Sequence, residues 1–341
     1  MCECCSLRTE LTERLGIEHP IIQAGMSAEG GPALATAVSG AGALGTIGSI
    51  GAGPDVLEQQ IKRCRDLTDK PFSVNVVTFD WAPFGQQLLE VAIEQQVPIV
   101  TLSFGNPLPS LERCRAAGVK TLVQVQDLES ARAILHAAPD ALIVQGNEAG
   151  GHTGRRGTLN FAAQVLDLAG NIPVVLAGGV GNGRGLAAAL AMGAAGVVMG
   201  TRFKASEEFA DGGPPESAAV LRWQKDAIVA SDGSNTLYDE ILDNAYGLAW
   251  PNQVTGRALR NRFTQEWEGR HEELRQKVAA EPPFAFVQGL ARSPETAINW
   301  AGESSGLVDE IKPAAQIVAE TVQQAEQLLG QVAARTGSAP A

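Results

Sequence analysis

The sequence lacks any apolar run that approaches the roughly 20 residues needed to span a bilayer. Its first ten residues, MCECCSLRTE, also lack the apolar core of a secretory signal peptide. These two absences predict a cytoplasmic protein that does not enter a membrane. The formal net charge is -12, from 26 basic and 38 acidic residues, so the chain has no general attraction for nucleic acid or anionic membranes. Any phosphate site must therefore be local.

Cysteine is scarce and gives no sign of disulfides. The sequence has five cysteines, an odd number without a regular disulfide spacing: Cys2, Cys4, Cys5, Cys64 and Cys114. The first three lie close enough together to chelate a soft metal. However, no histidine or further cysteine follows them at zinc-finger spacing. We therefore predict no metal site.

What the chain does have is apolar content. Hydrophobic residues make up 45% of the 341 residues and charged residues 19%, which supports a sizeable core and argues against disorder. The length fits one barrel with an appendage, or two ordinary domains.

Short apolar, β-branched runs recur along the first 200 residues, and helix-like patterns separate them. This alternation predicts βαβ units and a parallel sheet. Eight runs are the number that closes a (β/α)8 TIM barrel, although an open, doubly wound sheet has the same periodicity. The runs cover residues 20–23, 43–47, 72–77, 98–102, 121–125, 141–144, 172–176 and 196–199.

Polar residues and glycines fall at or just past the ends of these runs, which favours the barrel. Side chains at the carboxyl ends of barrel strands surround one mouth, where barrel enzymes place their ligands. The residues concerned are 23–26, Asn75, Ser103, Gln124, 145–152, 177–180, Gly200 and Thr201.

After Thr201, the sequence pattern predicts helices. We predict an α/β protein in three segments: a barrel over 1–205, a helical insertion over 206–298, and a C-terminal return to the barrel over 299–341. No convincing strand follows Thr201. From Thr255 onward, apolar residues at helical spacing predict one long amphipathic helix whose stripe packs in a core: Leu259, Phe263, Trp267, Leu274 and Val278. A closing helix is predicted to begin near Pro313.

The segment QGNEAGGHTGRRGT, residues 145–158, is the first candidate for a functional loop. It follows a strand-like run, and its glycines let the backbone approach a flat ligand closely. It also holds His152, a residue suited to proton transfer near neutral pH. The alternative is an ordinary surface turn with a solvated histidine.

A second candidate spans residues 174–201, where two successive strand runs end in glycine. One run ends in Ala177, Gly178 and Gly179, and the next in Met199, Gly200 and Thr201. In barrels, the loops after the seventh and eighth strands commonly bind phosphate through backbone N–H groups. The glycines of 179–185 do not match a dinucleotide fingerprint, because the third glycine and the later acidic residue are missing.

Five motifs in order make the chain resemble the nitronate monooxygenase family, formerly called 2-nitropropane dioxygenases. They are QAGMSAEGGPALATAVSGAGALGTIGS, FSVNVV, QGNEAGGHTG, AGGVGNGRGLAAALAMGAAGVVMGTRF and WAGESSGLV. The family is similar to flavin-dependent enoyl-ACP reductases and NADH:quinone reductases. A more distant likeness to IMP dehydrogenase lacks the catalytic cysteine loop, because Cys64 and Cys114 fall in predicted helices.

The resemblance implies FMN as cofactor, and small-molecule nitronates or nitroalkanes with O2 as substrates. His152 matches the catalytic base. Ser305 and Gly306 match a C-terminal loop that closes the site, and relatives often carry lysine where Gln124 stands. The remaining matches to the flavin site are Gln23, Ala24, Gly25, Met26, Asn75, Gln124 and Gln145 near the ring, Gly150 and Gly151 giving it space, and Ala177, Gly178, Gly179, Met199, Gly200 and Thr201 around the phosphate.

Two other functions remain open at this point. An NAD(P)H-dependent reductase on the same barrel would use the same FMN and histidine, so shared motifs do not exclude it. A flavin-binding protein without turnover is the other, although a histidine aimed at the mouth argues against it. The sequence does not determine the oligomeric state, and a homodimer is compatible with it.

Overall fold

The computed structural model describes residues 7–27, 29–79, 84–210, 218–250 and 254–337. The Cys2, Cys4 and Cys5 cluster, the link after Ala210 and the tail after Gly337 lie outside the described residues. Among the helices in the described ranges, none combines the length and apolarity needed to cross a membrane.

Eight parallel strands form the barrel, as the sequence predicts. In chain order they are β1 (Ile21–Gln23), β2 (Gly45–Gly48), β3 (Phe72–Val77), β4 (Ile99–Ser103), β5 (Lys120–Val125), β6 (Ala141–Gln145), β8 (Val174–Ala177) and β9 (Gly196–Met199), with β7 (Gly151–Thr153) outside the barrel sheet. The order in the sheet is β1-β9-β8-β6-β5-β4-β3-β2. A parallel bridge between Ile22 and Leu44 joins the two end strands. The open-sheet alternative is therefore wrong.

Helices alternate with these strands. They are α1 (Glu10–Leu15), α2 (Pro32–Gly40), α3 (Pro54–Leu67), α4 (Gly85–Glu94), α5 (Leu108–Ala116), α6 (Leu128–His136), α7 (Thr158–Leu166), α8 (Gly183–Ala191) and α9 (Thr201–Lys204). Proline at the first turn starts α2 and α3, and Asp127 caps α6 by accepting from the Ser130 N–H at 2.8 Å. Local sequence signals thus set several helix starts.

The barrel interior is apolar at its amino-terminal end, and α1 covers it. Leu11 and Leu15 of α1 pack with inward-facing strand residues such as Ile22, Leu122 and Ile143. Outward-facing strand residues pack against the surrounding helices in a larger cluster. Because side chains fill the amino-terminal end of the barrel interior, space for a ligand remains at the carboxyl ends of the strands.

The interval 206–298 is not wholly helical, which corrects the sequence expectation. It contains α10 (Ala218–Val229), β10 (Thr236–Tyr238), α11 (Ile241–Tyr246), β11 (Thr255–Leu259), α12 (Arg262–Trp267), α13 (His271–Ala279) and α14 (Ala285–Leu290). Strands β10, β11 and β7 form an antiparallel sheet in the order β10-β11-β7. The statement that no strand follows Thr201 is therefore wrong.

The single long helix predicted from Thr255 is also wrong. Asn261 starts a new helix because it forms a capping box with Thr264, and Gly269, at φ 76°, ends the helical path before α13. Most of the apolar stripe nevertheless packs in a core. Phe263, Trp267 and Leu274 lie in a cluster of buried residues beside α11, whereas Leu259 packs in a separate cluster.

The C-terminal segment returns to the barrel. A 3₁₀ helix (Glu303–Leu307) precedes α15 (Ala314–Thr336), which begins after Pro313 as expected. Helix α15 packs closely on α8: a Cβ on Gly183 would lie 2.4 Å from the Thr321 carbonyl oxygen. The division of the chain at residues 205 and 298 remains a proposal. Strand β7 of the first segment pairs with β11 of the second segment, so the two segments share the antiparallel sheet.

Gly45 provides a test of the packing between β2 and α2. A Cβ at this position would lie 1.8 Å from the Ala35 carbonyl oxygen, which is backbone and cannot move away freely. We expect Gly45→Ala to destabilise the fold by about 3 kcal/mol or more, as overpacking of a core does. As a control, Gly330→Ala in α15 enters open space and should stabilise by about 0.5–1 kcal/mol. Urea unfolding midpoints measure both, and equal stability of Gly45→Ala and wild type would contradict the packing.

Candidate active site

A cavity of about 710 Å³ opens at the carboxyl ends of the barrel strands. It brings together His152 and most of the residues that match the flavin site, from segments distant in sequence. Those lining it are Gln23, Ala24, Gly25, Met26, Asn75, Gln124, Gln145, Gly150, Gly151, His152, Ala177, Gly178, Gly179, Gly200 and Thr201. A volume of this order is typical of cofactor and substrate sites.

His152 lies on a strand rather than in a free loop. It is the middle residue of β7, and it pairs antiparallel with Gly256 of β11. The chain before it is fixed by Glu148, whose carboxylate accepts from the Thr158 backbone N–H at 2.8 Å and so caps α7. Arg257 donates to the Asn147 carbonyl at 2.7 Å. The surface-turn reading is therefore wrong, because the histidine is half-buried and held by its neighbours.

The imidazole of His152 is hydrogen-bonded to a carboxylate. Nε2 lies 2.5 Å from Oδ1 of Asp243, on α11, and Oδ2 of Asp243 accepts from the Thr255 hydroxyl at 2.7 Å. A carboxylate only accepts, so Nε2 carries the proton and Nδ1 keeps its lone pair. Among the described residues, Nδ1 has no protein partner. The exposed fraction of the side chain is 18% for His152 and 6% for Asp243, so this pair is largely shielded from water.

Aromatic side chains enclose the histidine. The indole of Trp250 stacks on the imidazole with ring centroids 3.7 Å apart and an interplanar angle of 13°. Trp300 lies 5.0 Å from the imidazole between centroids, and Tyr246 stacks on Trp300 at 6.2 Å. Although only 5% of the chain is aromatic, these three rings line the cavity. Such walls exclude water and suit a flat ligand.

The floor of the cavity is polar but neutral. Gln124 and Gln126 each donate an amide N–H to Oε1 of Gln145, at 3.1 and 3.0 Å. The Asn75 amide donates to the Ser103 hydroxyl at 2.6 Å, and Gln23 Oε1 accepts from the Thr46 N–H at 2.8 Å. These contacts fix the side chains at the strand ends.

Glycines surround the remaining part of the cavity for three different reasons. Gly178 and Gly179 adopt φ angles of 107° and 73°, which only glycine takes readily. At Gly200 a Cβ would meet only Ala24, at an ordinary 3.5 Å, so no protein contact demands glycine there. Its smallness instead leaves space in the cavity. At Gly150 a Cβ would lie 2.5 Å from the backbone at Ala301, so this glycine serves the close approach of the C-terminal loop.

Three residues that match the flavin site do not line the cavity. Met199 points into the layer between barrel and helices, because side chains alternate along β9 and its neighbour Val198 is the one that faces the cavity. Ser305 is fully buried and contacts the Ser231 hydroxyl at 2.9 Å. Gly306 packs against the backbone of Asp232. In the 3₁₀ helix it is Ser304 that reaches the cavity.

The two described cysteines are remote from the chemistry, as the missing cysteine loop implies. Cys64 and Cys114 are buried in α3 and α5. Burial raises the pKa of the Cys64 thiol to about 12 and that of Cys114 to about 11. Neither thiol would ionise near neutral pH, so neither serves as a nucleophile.

Sequence reasoning missed Asp243, Trp250 and Lys204, all of which line the cavity or contact His152. Asp243 and Trp250 come from the interval whose structure was hardest to predict, and neither belongs to a recognisable motif. Lys204 stands two residues after a matched motif residue, Arg202. It directly follows the motif that ends at Phe203, and no sequence signal marks it as buried.

Comparison with known proteins identifies relatives of the whole fold. A sequence model described as nitronate monooxygenase matches residues 8–83 and 79–229. The structure of FabK from Thermotoga maritima is similar with a TM-score of 0.82 and 35% identity, over 96% of this chain and 99% of that one. A nitroalkane oxidase from Streptomyces ansochromogenes is similar with a TM-score of 0.76 and 29% identity, over 94% of this chain and 100% of that one.

A further relative in sequence is a dehydrogenase of Rhodococcus jostii. It is the (3aS,4S,5R,7aS)-5-hydroxy-7a-methyl-1-oxo-octahydro-1H-indene-4-carboxyl-CoA dehydrogenase, and it is 41% identical over 203 residues. The alignment covers 60% of this chain and 57% of the length of that protein. The nitroalkane oxidase and the CoA dehydrogenase are both oxidoreductases by name, and their substrates differ.

Proposed function

The chain belongs to the nitronate monooxygenase family of oxidoreductases, and we propose on that premise that it oxidises nitronates with O2 to a carbonyl compound and nitrite. Neutral nitroalkanes enter the same reaction after losing their α-proton. One observation carries the proposal: His152 lines the cavity with Nε2 held by Asp243, and no residue in the described part of the chain occupies Nδ1. That is the arrangement of a general base.

His152 Nδ1 is the atom that takes the proton. The α-proton of a nitroalkane is acidic because the nitro group delocalises the resulting charge onto its oxygens. The Asp243 carboxylate fixes the tautomer and stabilises the imidazolium that forms. Trp250 and Trp300 hold the ring plane and keep water away, so the proton is not exchanged before the next step.

FMN is the cofactor that we propose for the cavity. When bound, it supplies the electron acceptor and the reaction with O2 that side chains do not provide. Gln23, Asn75, Gln124 and Gln145 would contact the ring from the polar floor. Backbone N–H groups at Gly178, Gly179, Gly200 and Thr201 would bind the phosphate. The space left at Gly200 and the positive φ angles at 178 and 179 support this fit.

An NAD(P)H-dependent reductase on the same barrel is the second candidate, because the motifs that match the flavin site do not separate it from a monooxygenase. The 41% identity with a CoA dehydrogenase, over 60% of this chain, supports keeping a second substrate class under test. The cavity of about 710 Å³ accommodates either kind of substrate beside a flavin.

One pair of assays separates the two candidates. We expect the flavin-loaded protein to consume O2 and release nitrite with ethyl nitronate, because the proposed reaction needs only nitronate and O2. Mixed with NADH under anaerobic conditions, the same sample should keep its flavin absorbance. Rapid bleaching by NADH without nitrite production would instead establish the reductase. Protein that neither contains nor takes up FMN would contradict both.

A further inference from the structure

Lys204 is a buried cation in the wall of the cavity. It ends α9, only 4% of it is exposed, and it lines the cavity together with His152 and Trp300. Its ammonium donates to the Trp300 carbonyl at 3.2 Å and lies 5.8 Å from the centre of the Phe209 ring. Within the described ranges, no carboxylate lies close enough to form an ion pair with it.

Such an arrangement is costly unless something else supplies negative charge. An ammonium has three donors, and among the described residues the Trp300 carbonyl is the acceptor that Lys204 reaches. Burial lowers the pKa of Lys204 to about 8, and the more distant Glu29 only partly opposes this. Lysine is rarely fully buried without a partner, because removing its charge from water is unfavourable. A ligand that brings an anion to the cavity would relieve this cost.

The position of Lys204 relative to the base suggests which anion this is. Trp300 connects the two groups: its ring lies 5.0 Å from the His152 ring, and its carbonyl oxygen accepts from Lys204. The base His152 and the cation Lys204 therefore line the same cavity, one at the ring of Trp300 and the other at its carbonyl. When a substrate bound between them gives its proton to His152, Lys204 is the nearby cation that can stabilise the negative charge left on the substrate.

We propose that Lys204 forms the anion site of the substrate pocket, where its ammonium binds the oxygens of the nitronate. The inference rests on the proposed function. In the deprotonation step the C–H bond breaks, the proton goes to Nδ1 of His152, and the electron pair spreads onto the two nitro oxygens. Lys204 stabilises this developing charge in a shielded site, where electrostatic stabilisation is strongest. No oxidation or reduction occurs in this step.

The charged and titratable groups around Lys204 bear on its test. Glu29, on the segment between β1 and α2, lines the same cavity. Tyr246, at the end of α11, also lines it, and burial raises the pKa of its phenol, which favours the neutral form. The ammonium of Lys225, on α10, lies 6.0 Å from the centre of the Phe209 ring, which the ammonium of Lys204 also approaches. Glu303, on the 3₁₀ helix against α9, pairs with Arg257 at 3.2 Å.

Calorimetric titration with sodium nitrite tests the site without turnover. Nitrite stays ionised from pH 6 to 10, whereas Lys204 loses its charge as the pH rises through about 8. We expect nitrite to bind the flavin-loaded protein below that pH. Above it, the dissociation constant should rise about tenfold per pH unit, as expected when binding requires one protonated group.

Two variants separate charge from structure. Lys204→Gln keeps an N–H donor for the Trp300 carbonyl but removes the charge, and Lys204→Met removes both. We expect nitrite affinity to fall at least tenfold in each, with no remaining pH dependence around 8. For ethyl nitronate, KM should rise by a similar factor in Lys204→Gln. Nitrite binding by Lys204→Gln with wild-type affinity would overturn the inference. The role of Lys204 would then be to hold the backbone of Trp300 in place through its carbonyl.

The same measurements keep this inference distinct from the proposed function. A protein that binds nitrite through Lys204 but does not oxidise nitronates contradicts the proposed function alone. A protein that oxidises nitronates equally well with Lys204→Gln contradicts the anion site alone. Circular dichroism confirms that each variant is folded.

Discussion

Replacement of His152 by asparagine is expected to lower kcat/KM for neutral nitroethane by about 10²–10⁴-fold, the usual contribution of a general base. The reason is geometric. Nδ1 of His152 is the ring nitrogen that no described residue contacts by a hydrogen bond, and Asp243 holds Nε2 so that Nδ1 lies on the side of the ring away from α11. Asparagine is of similar size and can still contact Asp243, but it offers no basic nitrogen. Initial rates of nitrite release at one fixed pH measure the loss.

Ethyl nitronate is the internal control for this variant. It is already deprotonated, so it needs no base, and His152→Asn should retain most of the wild-type activity toward it. His136→Asn, on the exposed surface of α6, should change neither rate. If His152→Asn and wild type released nitrite from nitroethane at equal rates, His152 would not be the base. Equal losses on nitroethane and ethyl nitronate would instead indicate damage to the cavity as a whole.

The barrel could be predicted from the sequence because its signals are local and repeated. Each strand buries both faces and therefore reads as a continuous apolar run, such as residues 72–77. Closure was inferred from polar residues at the strand ends, and the bridge between Ile22 and Leu44 confirms it. Family motifs then pointed to residues that the fold gathers in one cavity.

The antiparallel sheet could not be predicted, because its strands are short and their pairing is distant in sequence. Strand β7 has three residues, and its partner β11 follows about a hundred residues later. Leu259 and Phe263 have helical spacing, so the sequence pattern does not reveal that the chain changes from strand to helix between them. Pairing partners of this kind are set by tertiary contacts rather than by local propensity.

The misplaced residues show a second limit of the sequence. Along β9, adjacent side chains point to opposite faces, so Val198 faces the cavity and Met199, the motif residue beside it, does not. In the 3₁₀ helix, Ser304 reaches the cavity, whereas the motif residue Ser305 is buried against Ser231. Lys204 was overlooked for another reason: nothing in a sequence tells a buried lysine from the solvated ones that are far more common.

Replacement of Asp243 by asparagine is expected to lower kcat/KM for neutral nitroethane by about 10³-fold, since the analogous change in a catalytic triad costs about 10⁴. Thr255 determines the outcome, because its hydroxyl donates to one oxygen of Asp243 at 2.7 Å. With Thr255 donating as it does to Asp243, an asparagine directs its carbonyl to Thr255 and its NH2 group to Nε2 of His152. Nε2 must then accept, and the proton moves to Nδ1, where the base is needed.

The double variant Asp243→Asn, Thr255→Val tests this explanation directly. Without the threonine hydroxyl, the amide can rotate and present its carbonyl to Nε2, which restores the productive tautomer but not the negative charge. We expect nitroethane activity to recover about tenfold over Asp243→Asn, while Thr255→Val alone stays near wild type. Ethyl nitronate oxidation should change little throughout, because it needs no base. If the double variant were no more active than Asp243→Asn, Asp243 would act through its charge or through packing, and not by selecting the tautomer of His152.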